Sequence, residues 1–380
     1  MNIAFVSANK GLPWGGSEDL WVGAARRAIE GGHRVCMCVF DWPEPARQII
    51  AIRELGAAVV HIPLRSKSRL PFLPARHAWI NDLAAFNPDV LCVSQGQEYD
   101  FAGRRWGQAM LEWLRESGTP AVNVSQYNDD RAHPGELVAE RTRQFVRLVR
   151  LNAYVAQRNL EQLERQLGIG IPNAVVVRNP VNLSDISPVP WPRDASAGEI
   201  TLQLACVARL NAAAKGQDLL LPALARHAWR ARKWKLTLWG VGPDERLFRE
   251  MAAPLGIADR VAFRGFATDV RAMWVAHHLL VLSSRGEGTP LAQVEAMLLG
   301  RPCVVTDVGD CAAWVRDGQE GWIAPSPTID AIADALDRAW QARDSWERVG
   351  LNAAARAREL FDPDAGGTLL ELLLSHAGRT

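Results

Sequence analysis

Residues 2–40 read NIAFVSANKGLPWGGSEDLWVGAARRAIEGGHRVCMCVF. The apolar run at 2–8 is typical of a buried strand, and a glycine-rich loop at 9–18 follows it. Residues 19–32 carry apolar side chains at helical spacing and end in glycine, which favours a helix. Another apolar run at 33–40 completes a strand–loop–helix–strand unit. Such a unit predicts the opening of a doubly wound parallel sheet.

The same alternation continues along the chain in two stretches. In the first, NPDVLCVSQ at 87–95 and TPAVNVSQ at 119–126 predict strands, with a helix over 101–117 between them. The second stretch starts with the apolar run at 200–210, ITLQLACVARL. We therefore expect an α/β protein built from two doubly wound domains.

A proline-rich segment separates the two stretches. Residues 180–198, PVNLSDISPVPWPRDASAG, contain four prolines among Ser, Asp and Gly, a composition typical of a linker. At roughly 100–200 residues per domain, the 380 residues fit two domains. We place them at 1–180 and 199–351, joined by a linker at 181–198.

The amino-acid composition indicates which partners and which cellular compartment to expect. Lys and Arg total 43 against 42 for Asp and Glu, a balance that excludes a general basic field for nucleic acid. The six cysteines form no C-x-x-C pair, which favours buried thiols in a reducing compartment. The first apolar run is too short for a signal peptide, and no run reaches the roughly 20 residues of a membrane span. We expect a cytoplasmic protein, with peripheral contact at the inner membrane surface left open.

The most informative motif is VLSSRGEGTPLAQVEAMLLG at 281–300. A buried strand ends there, a turn carries Glu287, and Pro290 suits the first turn of a helix. Free backbone N–H groups and the helix dipole at such a point favour an anion such as a diphosphate. Glu295 lies about two turns after Glu287, where ribose hydroxyls could pair with its carboxylate. The alternative is that Glu295 belongs to an ordinary amphipathic face.

Two further loops follow predicted strands. Arg209 and Lys215 lie on one loop, and two cations there can neutralise a departing diphosphate, although solvated surface cations remain the alternative. The loop Trp14-Gly15-Gly16 opens the first predicted helix, and its glycines either allow close approach to a ligand or form an ordinary turn.

Together these segments resemble the family 4 glycosyltransferases of the GT-B fold. The family's paired glutamates and following strand match EGTPLAQVEAMLLGRPCVV at 287–305, and its G-R-L…K-G loop matches ARLNAAAKG at 208–216. Its T-D-x-G-G turn matches TDVGD at 306–310, and its D-G-x-x-G-x-x-x-P motif matches 317–325. Asn179-Pro180-Val181 matches the N-P-V segment before the linker.

The resemblance implies two facing Rossmann-like, doubly wound α/β domains with an interdomain cleft. The N-terminal domain would bind the acceptor, and a C-terminal tail at 352–380 would cross back to it. The C-terminal domain would bind the nucleotide-sugar donor.

The resemblance also implies roles for individual residues. Glu287, Arg209 and Lys215 would be the catalytic groups, the two cations holding the diphosphate and Glu287 contacting the transferred sugar. Glu295 would bind the ribose. Further donor-binding positions would be Gly15, Gly16, Gly240, Gly242, Arg264, Phe266, Gly288, Thr289, Pro290 and Leu291.

The implied reaction is a metal-independent, same-face displacement that retains anomeric configuration, with a nucleoside-diphosphate sugar as co-substrate and no cofactor. The acceptor would be a sugar, a lipid-linked acceptor or a small molecule, and the oligomeric state is open. Two alternatives stand beside transfer: a nucleotide-sugar epimerase or hydrolase on the same fold, and a non-catalytic nucleotide-sugar-binding module.

The acceptor side departs from the family pattern. Gln126 stands nearest to a His that many family members carry, and Gln cannot act as a base. Either this chain does not need that His, or His133 or Asp129 replaces it. Candidate acceptor-side residues are Trp14, Gln126, Asn128 and His133. The four arginines of RTRQFVRLVR at 141–150 favour a solvated helix, with an anionic lipid as the alternative.

Overall fold

A computed structural model describes residues 1–11, 13–64, 77–128, 131–193 and 201–378. The chain divides into two compact units. Unit 1 comprises Met1–Pro180 and Asp362–Thr380, and unit 2 comprises Val181–Phe361.

Unit 1 is built on a parallel sheet with strand order β3-β2-β1-β4-β5-β6-β7. Its strands are β1 (Asn2–Ser7), β2 (Arg34–Phe40), β3 (Ala58–Ile62), β4 (Val90–Gln95), β5 (Ala121–Ser125), β6 (Leu151–Tyr154) and β7 (Ala174–Val176). The central strands are buried on both faces, as expected for a parallel sheet covered by helices. This explains why they read as continuous apolar runs rather than as alternating ones.

Helices follow the strands of unit 1 in sequence. They are α1 (Gly16–Glu30), α2 (Arg47–Glu54), α3 (Ala78–Phe86), α4 (Gly107–Ser117), α5 (Glu136–Leu148) and α6 (Gln157–Leu167). The helix predicted over 101–117 therefore starts six residues late. Residues 101–106 instead form turns that bury Phe101 and Trp106 in an apolar cluster with Phe145.

Unit 2 repeats the architecture with strand order β10-β9-β8-β11-β12-β13, again parallel. Its strands are β8 (Leu202–Val207), β9 (Trp234–Trp239), β10 (Val261–Gly265), β11 (Leu279–Leu282), β12 (Cys303–Thr306) and β13 (Gly321–Ala324). The predicted fold class of two doubly wound α/β domains is confirmed.

The helices of unit 2 include several single turns. They are α7 (Ala212–Lys215), α8 (Gln217–Leu224), α9 (His227–Arg230), α10 (Glu245–Ala252), α11 (Val270–Val275), α12 (Leu291–Leu298), α13 (Cys311–Trp314), α14 (Ile329–Gln341) and α15 (Trp346–Leu360). Among the described residues, no helix is long and apolar enough to cross a bilayer.

The C-terminal tail joins unit 1 through α16 (Ala365–Ser375), which packs against α1. The two helices approach closely at Gly23 and Gly366, because a Cβ on Gly366 would lie 2.7 Å from the Gly23 carbonyl carbon. The tail expected at 352–380 begins ten residues later, at Asp362. Residues 352–360 belong instead to α15, which packs on α12 within unit 2 and buries Ala353 and Ala357.

The segment 181–193, expected to be part of a linker, is packed on unit 2. Val189 is buried in the apolar cluster of that unit, and Val181 and Leu183 pack against the same cluster. Residues 194–198 of the expected linker lie outside the described residues. The proline-rich composition predicted irregular backbone correctly, but it did not reveal that this backbone would be held against a core.

Arg301 anchors this segment. Its side chain is only 1% exposed, and it donates to Val189 O at 3.3 Å and Pro190 O at 2.6 Å. The same guanidinium donates to Trp274 O at 3.0 Å and His277 O at 2.8 Å, and it stacks over the Trp191 ring. Burial lowers the pKa of Arg301 to about 10. One buried cation thus ties the segment 189–191 to α11 and the turn after it.

We expect Arg301→Leu to lower the free energy of unfolding of unit 2 by about 3 kcal/mol or more, because it leaves several buried carbonyls without a donor. Urea unfolding followed by tryptophan fluorescence measures this. Arg348→Leu is the matched control, since Arg348 is exposed. Equal stability of the two variants would show that the hydrogen bonds from Arg301 to these carbonyls do not stabilise the segment 189–191.

Candidate functional site

The carboxyl ends of β8 and β11 form the switch point of the sheet of unit 2. From β8 the chain continues to β9 and β10 on one side, whereas β11 is followed by β12 and β13 on the other. Ligands of doubly wound sheets bind at such a point. The loop after β8 carries Arg209 and Lys215, and the loop after β11 carries Glu287.

Lys215 and Glu287 are joined in this structure. The Lys215 Nζ donates to both carboxylate oxygens of Glu287, at 2.6 and 2.7 Å. Ser284 Oγ donates to the same carboxylate at 2.6 Å. Glu287 is only 6% exposed, so its charge needs these partners. Residues 72 positions apart in sequence therefore form one charged group at the switch point.

The backbone around Lys215 is held against the strand β11. Gly216 has φ +62°, and a Cβ there would lie 2.0 Å from Ser283 O, so the position requires glycine. Ser283 Oγ donates to Gly216 O at 2.8 Å. Asn211 caps the preceding turn by accepting from Ala214 N at 2.9 Å. These contacts fix the point from which the Lys215 side chain starts.

A second ion pair, between Arg285 and Asp218, braces the same two loops. Arg285 forms two parallel hydrogen bonds to the Asp218 carboxylate, at 2.6 and 2.8 Å, and donates to Ala212 O at 2.6 Å. This pair was not predicted from the sequence. Arg285 lies inside the motif at 281–300 and Asp218 lies two residues after the motif at 208–216, but no spacing rule connects positions so far apart.

The turn after β12 packs against the Glu287 loop. Gly309 has φ +52°, and a Cβ there would lie 2.4 Å from Glu287 O. Asp310 N donates to Gly288 O at 2.9 Å. Asp310 stands where the family's T-D-x-G-G turn has its second glycine, and its φ of −89° shows that the position needs no unusual backbone angle. The requirement for glycine falls on Gly309 alone.

The other donor-side positions of unit 2 are distributed around this point. Gly288, Thr289 and Pro290 are buried, and Leu291 begins α12. Glu295 is half-buried on that helix. Arg209 is exposed, and among the described residues its guanidinium has no hydrogen-bond or ion-pair partner.

The positions expected to frame the base lie at the ends of β9 and β10. Gly240 N donates to Gly265 O at 2.7 Å, and Leu210 N donates to Val241 O at 3.1 Å. The loop after β9, which carries Gly242, is therefore hydrogen-bonded to the loop that carries Arg209. Arg264 is exposed, and the Phe266 ring is 74% exposed. An exposed aromatic ring beside a cation can stack on a planar base.

In unit 1, Gly15 and Gly16 lie at the start of α1. Gly15 caps the helix in extended conformation, with φ −159°, and Trp14 is half-buried against the core. The first turn also carries Glu18, which is buried and accepts from Trp21 Nε1 at 2.7 Å. Burial raises the pKa of Glu18 above its usual range. Glu18 is not among the residues that the sequence patterns indicate.

The candidate acceptor-side residues separate into two groups. Gln126 and Asn128 are buried just after β5, where Gln126 Oε1 accepts from Asn179 Nδ2 at 2.8 Å and Asn128 Nδ2 donates to Gln166 Oε1 at 2.9 Å. His133 is exposed. Asp129 lies outside the described residues. The structure thus places Gln126 and Asn128, but not His133, within a buried polar region.

A cavity of about 370 Å³ opens beside Asn128. It is lined by Gln97, Glu98, Tyr99, Asp100, Tyr127, Asn128, Arg131 and Ala132. We call it the β4–β5 cavity, because its lining comes from the loops after those two strands. Glu98 is not among the residues that the sequence patterns indicate, because no local pattern reveals its burial.

Glu98 is the unusual group of this cavity. It is 2% exposed and accepts from Ser125 Oγ, while its Oε1 has no hydrogen-bond partner. Burial raises the pKa of Glu98 to about 8, although the hydrogen bond from Ser125 acts in the opposite direction. Glu98 is therefore largely protonated at neutral pH.

This raised pKa has a consequence for stability. The unfolded chain ionises Glu98 above about pH 4.5 while the folded chain does so only near pH 8. The contribution of Glu98 to stability is therefore complete below pH 4.5 and is lost as pH rises towards 8. We expect Glu98→Gln to gain roughly 2–4 kcal/mol relative to the unchanged chain between pH 5 and pH 8. Urea unfolding of both proteins across this range measures the difference, and a pH-independent difference would contradict the raised pKa.

The arginine-rich segment is mostly paired within unit 1. Arg143 donates to Glu136 at 3.0 Å, to Glu140 at 3.5 Å and to Leu167 O at 3.1 Å. Arg141 donates to Ala102 O at 3.5 Å. These contacts favour the interpretation of α5 as a solvated helix. In the described part of the chain, no group of three or more His, Cys, Asp or Glu side chains is placed to hold a metal ion.

Comparison with known proteins extends the resemblance. Residues 201–342 match the family model "Glycosyl transferases group 1". The chain is 30% identical over 285 residues to a D-inositol 3-phosphate glycosyltransferase of Streptomyces scabiei. This match covers 70% of this chain and 63% of that protein. It is 29% identical over 161 residues to an alpha-D-kanosaminyltransferase of Streptomyces kanamyceticus, covering 42% of each. The chain thus spans less than two thirds of either relative.

Solved structures agree over nearly the whole chain. Anabaena HepE in complex with UDP superposes with a TM-score of 0.76 at 18% identity, covering 99% of this chain and 100% of that one. Sucrose-phosphate synthase from Thermosynechococcus elongatus superposes with a TM-score of 0.73 at 18% identity, covering 99% of each chain. These likenesses show the fold, which is GT-B.

Proposed function

We propose that this chain, which has the GT-B fold and matches the glycosyl transferases group 1 over residues 201–342, is a retaining glycosyltransferase of the family 4 type. It would move a sugar from a nucleoside-diphosphate donor to a hydroxyl acceptor without a bound metal. The observation that carries the proposal is the Lys215–Glu287 pair at the switch point of unit 2.

The Lys215–Glu287 pair is consistent with a site that binds a charged donor. Without donor, Lys215 neutralises a buried carboxylate. A diphosphate arriving beside Arg209 would compete for Lys215, because its oxygens carry more charge than one carboxylate. Glu287 would then be free to accept a hydrogen bond from a sugar hydroxyl. Binding of the donor would thus replace the Lys215–Glu287 ion pair by contacts of Lys215 with the diphosphate and of Glu287 with the sugar.

Arg209 and Lys215 also supply the chemistry of the leaving group. When the bond between the anomeric carbon and the diphosphate breaks, negative charge grows on the diphosphate, and the two cations would stabilise it more than they stabilise the bound donor. We expect activity to persist in EDTA, since these cations provide the positive charge that the diphosphate needs.

The remaining donor contacts follow from position. The N-terminus of α12, with Gly288 and Thr289 just before it, offers backbone N–H groups to the sugar or phosphate. Glu295 would accept hydrogen bonds from the ribose, and Phe266 would stack on the base. All six cysteines are buried and free, which supports a cytoplasmic site of action.

Two other functions use the same donor. An epimerase or hydrolase would release free or isomerised sugar without an acceptor, and a binding module would bind nucleotide without turnover. The two cations beside Glu287 favour a reaction that releases the diphosphate over a binding module, because binding alone needs no group that stabilises a leaving diphosphate. A hydrolase would use the same cations, so dependence on an acceptor distinguishes it from a transferase.

The direct test is turnover. The purified chain is incubated with UDP-, GDP-, ADP-, TDP- and CDP-linked sugars, with EDTA and a mixed set of saccharide acceptors, and nucleoside diphosphate release is measured. We expect release from one donor class, stimulated by acceptor, and a glycoside whose anomeric proton shows the donor's configuration. Release that no acceptor stimulates would favour a hydrolase, and tight nucleotide binding without release would favour a binding module.

A further inference from the structure

Unit 1 contains buried polar atoms without hydrogen-bond partners, and one of them, on Glu98, belongs to the lining of the β4–β5 cavity. Glu98 Oε1, Gln126 Nε2 and Tyr154 Oη are all buried and make no hydrogen bond in the described part of the chain. An unpaired buried polar atom costs about 1–3 kcal/mol, so the unpaired Glu98 Oε1 on the cavity lining indicates a place that a polar ligand or water completes.

The topology places this group where a ligand would bind. In unit 1, β1 continues to β2 and β3 on one side, whereas β4, β5 and β6 lie on the other. The loops after β4 and β5 therefore emerge at the carboxyl edge beside the switch point. Glu98 lies three residues after β4, and Gln126 directly follows β5.

The charges of the cavity favour a neutral ligand. The Asp100 carboxylate is already neutralised by Arg104 at 2.6 Å. Within the described ranges the Glu98 carboxyl forms no ion pair, and its only hydrogen-bond partner is the Ser125 hydroxyl. Because Glu98 is largely protonated at neutral pH and both Asp100 and Arg131 already have partners, the lining offers little uncompensated charge to offset the cost of desolvating a phosphate.

We propose that the β4–β5 cavity binds an uncharged polyhydroxylated ring, a sugar or cyclitol, and that Glu98 is the residue that recognises its hydroxyl groups; this rests on the proposed transferase function only in naming that ring as the acceptor. A protonated carboxyl group can donate one hydrogen bond to a hydroxyl and can accept others from hydroxyls. The volume of about 370 Å³ lies at the small end of ligand sites, which span roughly 300–1,000 Å³. Tyr99 is held in place by its hydroxyl, which donates to Gln166 at 2.6 Å, and its ring can pack on the apolar face of a sugar.

Ligand-observed NMR on the full chain tests this without requiring turnover. The probes are methyl glycosides of glucose, galactose and mannose, myo-inositol, glucose 1-phosphate and inorganic phosphate, each with and without the nucleoside diphosphate. Glu98→Gln removes the carboxyl, and Glu116→Gln makes the same change at an exposed position of unit 1. Ala132→Trp fills the cavity while Glu98 is kept, so loss of binding does not depend on one variant.

We expect at least one uncharged probe to bind the unchanged chain and Glu116→Gln equally. Its dissociation constant should rise tenfold or more in Glu98→Gln, and its binding should vanish in Ala132→Trp. Preference for the phosphorylated probes, no binding of any uncharged probe, or unchanged binding in Glu98→Gln overturns the proposal. A failure of the proposed function is distinguished separately, because it would appear as absent nucleotide binding while saccharide binding in unit 1 persists.

Discussion

Lys215→Ala is expected to lower sugar-donor turnover by about 10²–10³-fold, equivalent to roughly 2.7–4 kcal/mol of transition-state stabilisation. Two effects act together. The variant loses one of two cations that would stabilise the departing diphosphate, and it leaves the Glu287 carboxylate, 6% exposed, without its ion-pair partner. The rate constant kcat should fall more than the affinity for donor, because charge on the diphosphate is greatest in the transition state.

Steady-state release of nucleoside diphosphate measures this effect. Lys235→Ala is the matched control, since Lys235 is an exposed lysine of β9 in the same unit. Lys215→Arg keeps the charge and should recover part of the loss. If Lys215→Ala and Lys235→Ala turned over donor equally fast, Lys215 would have no part in the reaction.

Glu287→Gln is expected to lower kcat by about 10²–10³-fold while nucleoside diphosphate still binds. Glutamine keeps the shape and can still accept from Ser284, which donates to the native carboxylate at 2.6 Å. It removes the charge that would orient the sugar and support positive charge at the anomeric carbon. Affinity for the nucleotide alone should be unchanged or higher, because Lys215 no longer has an anionic partner.

The pattern across variants separates this role from a structural one. Glu295→Gln should weaken nucleotide binding, because we place Glu295 at the ribose, and Glu250→Gln on the exposed face of α10 should change nothing. Full turnover in Glu287→Gln would remove Glu287 from the reaction. Loss of nucleotide binding in that variant would show that the residue holds the site together rather than acting on the sugar.

Much of the fold could be predicted because parallel strands buried on both faces appear as apolar runs. Each of the runs at 2–8, 87–95 and 200–210 contains a strand of the structure. The loops that follow such strands could be named in advance for the same reason. Arg209, Lys215 and Glu287 therefore lie at one sheet edge, as the motifs implied.

Contacts between distant segments could not be predicted. Arg285 and Asp218 meet because two loops emerge side by side from β11 and β8, and nothing in either loop alone indicates the partner. Glu98 looked like an ordinary loop glutamate, since its burial depends on Ser125 and on neighbours from other strands. The proline-rich segment has the composition of a free linker, because the residue that holds it by hydrogen bonds, Arg301, lies more than a hundred residues away in sequence.

The most direct test of the central claim is a thermal unfolding series with UDP, GDP, ADP, TDP and CDP, without added metal, on the unchanged chain, Lys215→Ala and Lys235→Ala. A ligand that binds the native state raises the unfolding temperature with the logarithm of its concentration over its dissociation constant. We predict that one nucleoside diphosphate raises the unfolding temperature of the unchanged chain and of Lys235→Ala, and raises that of Lys215→Ala much less. If no nucleotide shifts the unchanged chain, or if Lys215→Ala responds as strongly as Lys235→Ala, the Lys215–Glu287 pair does not mark a donor site.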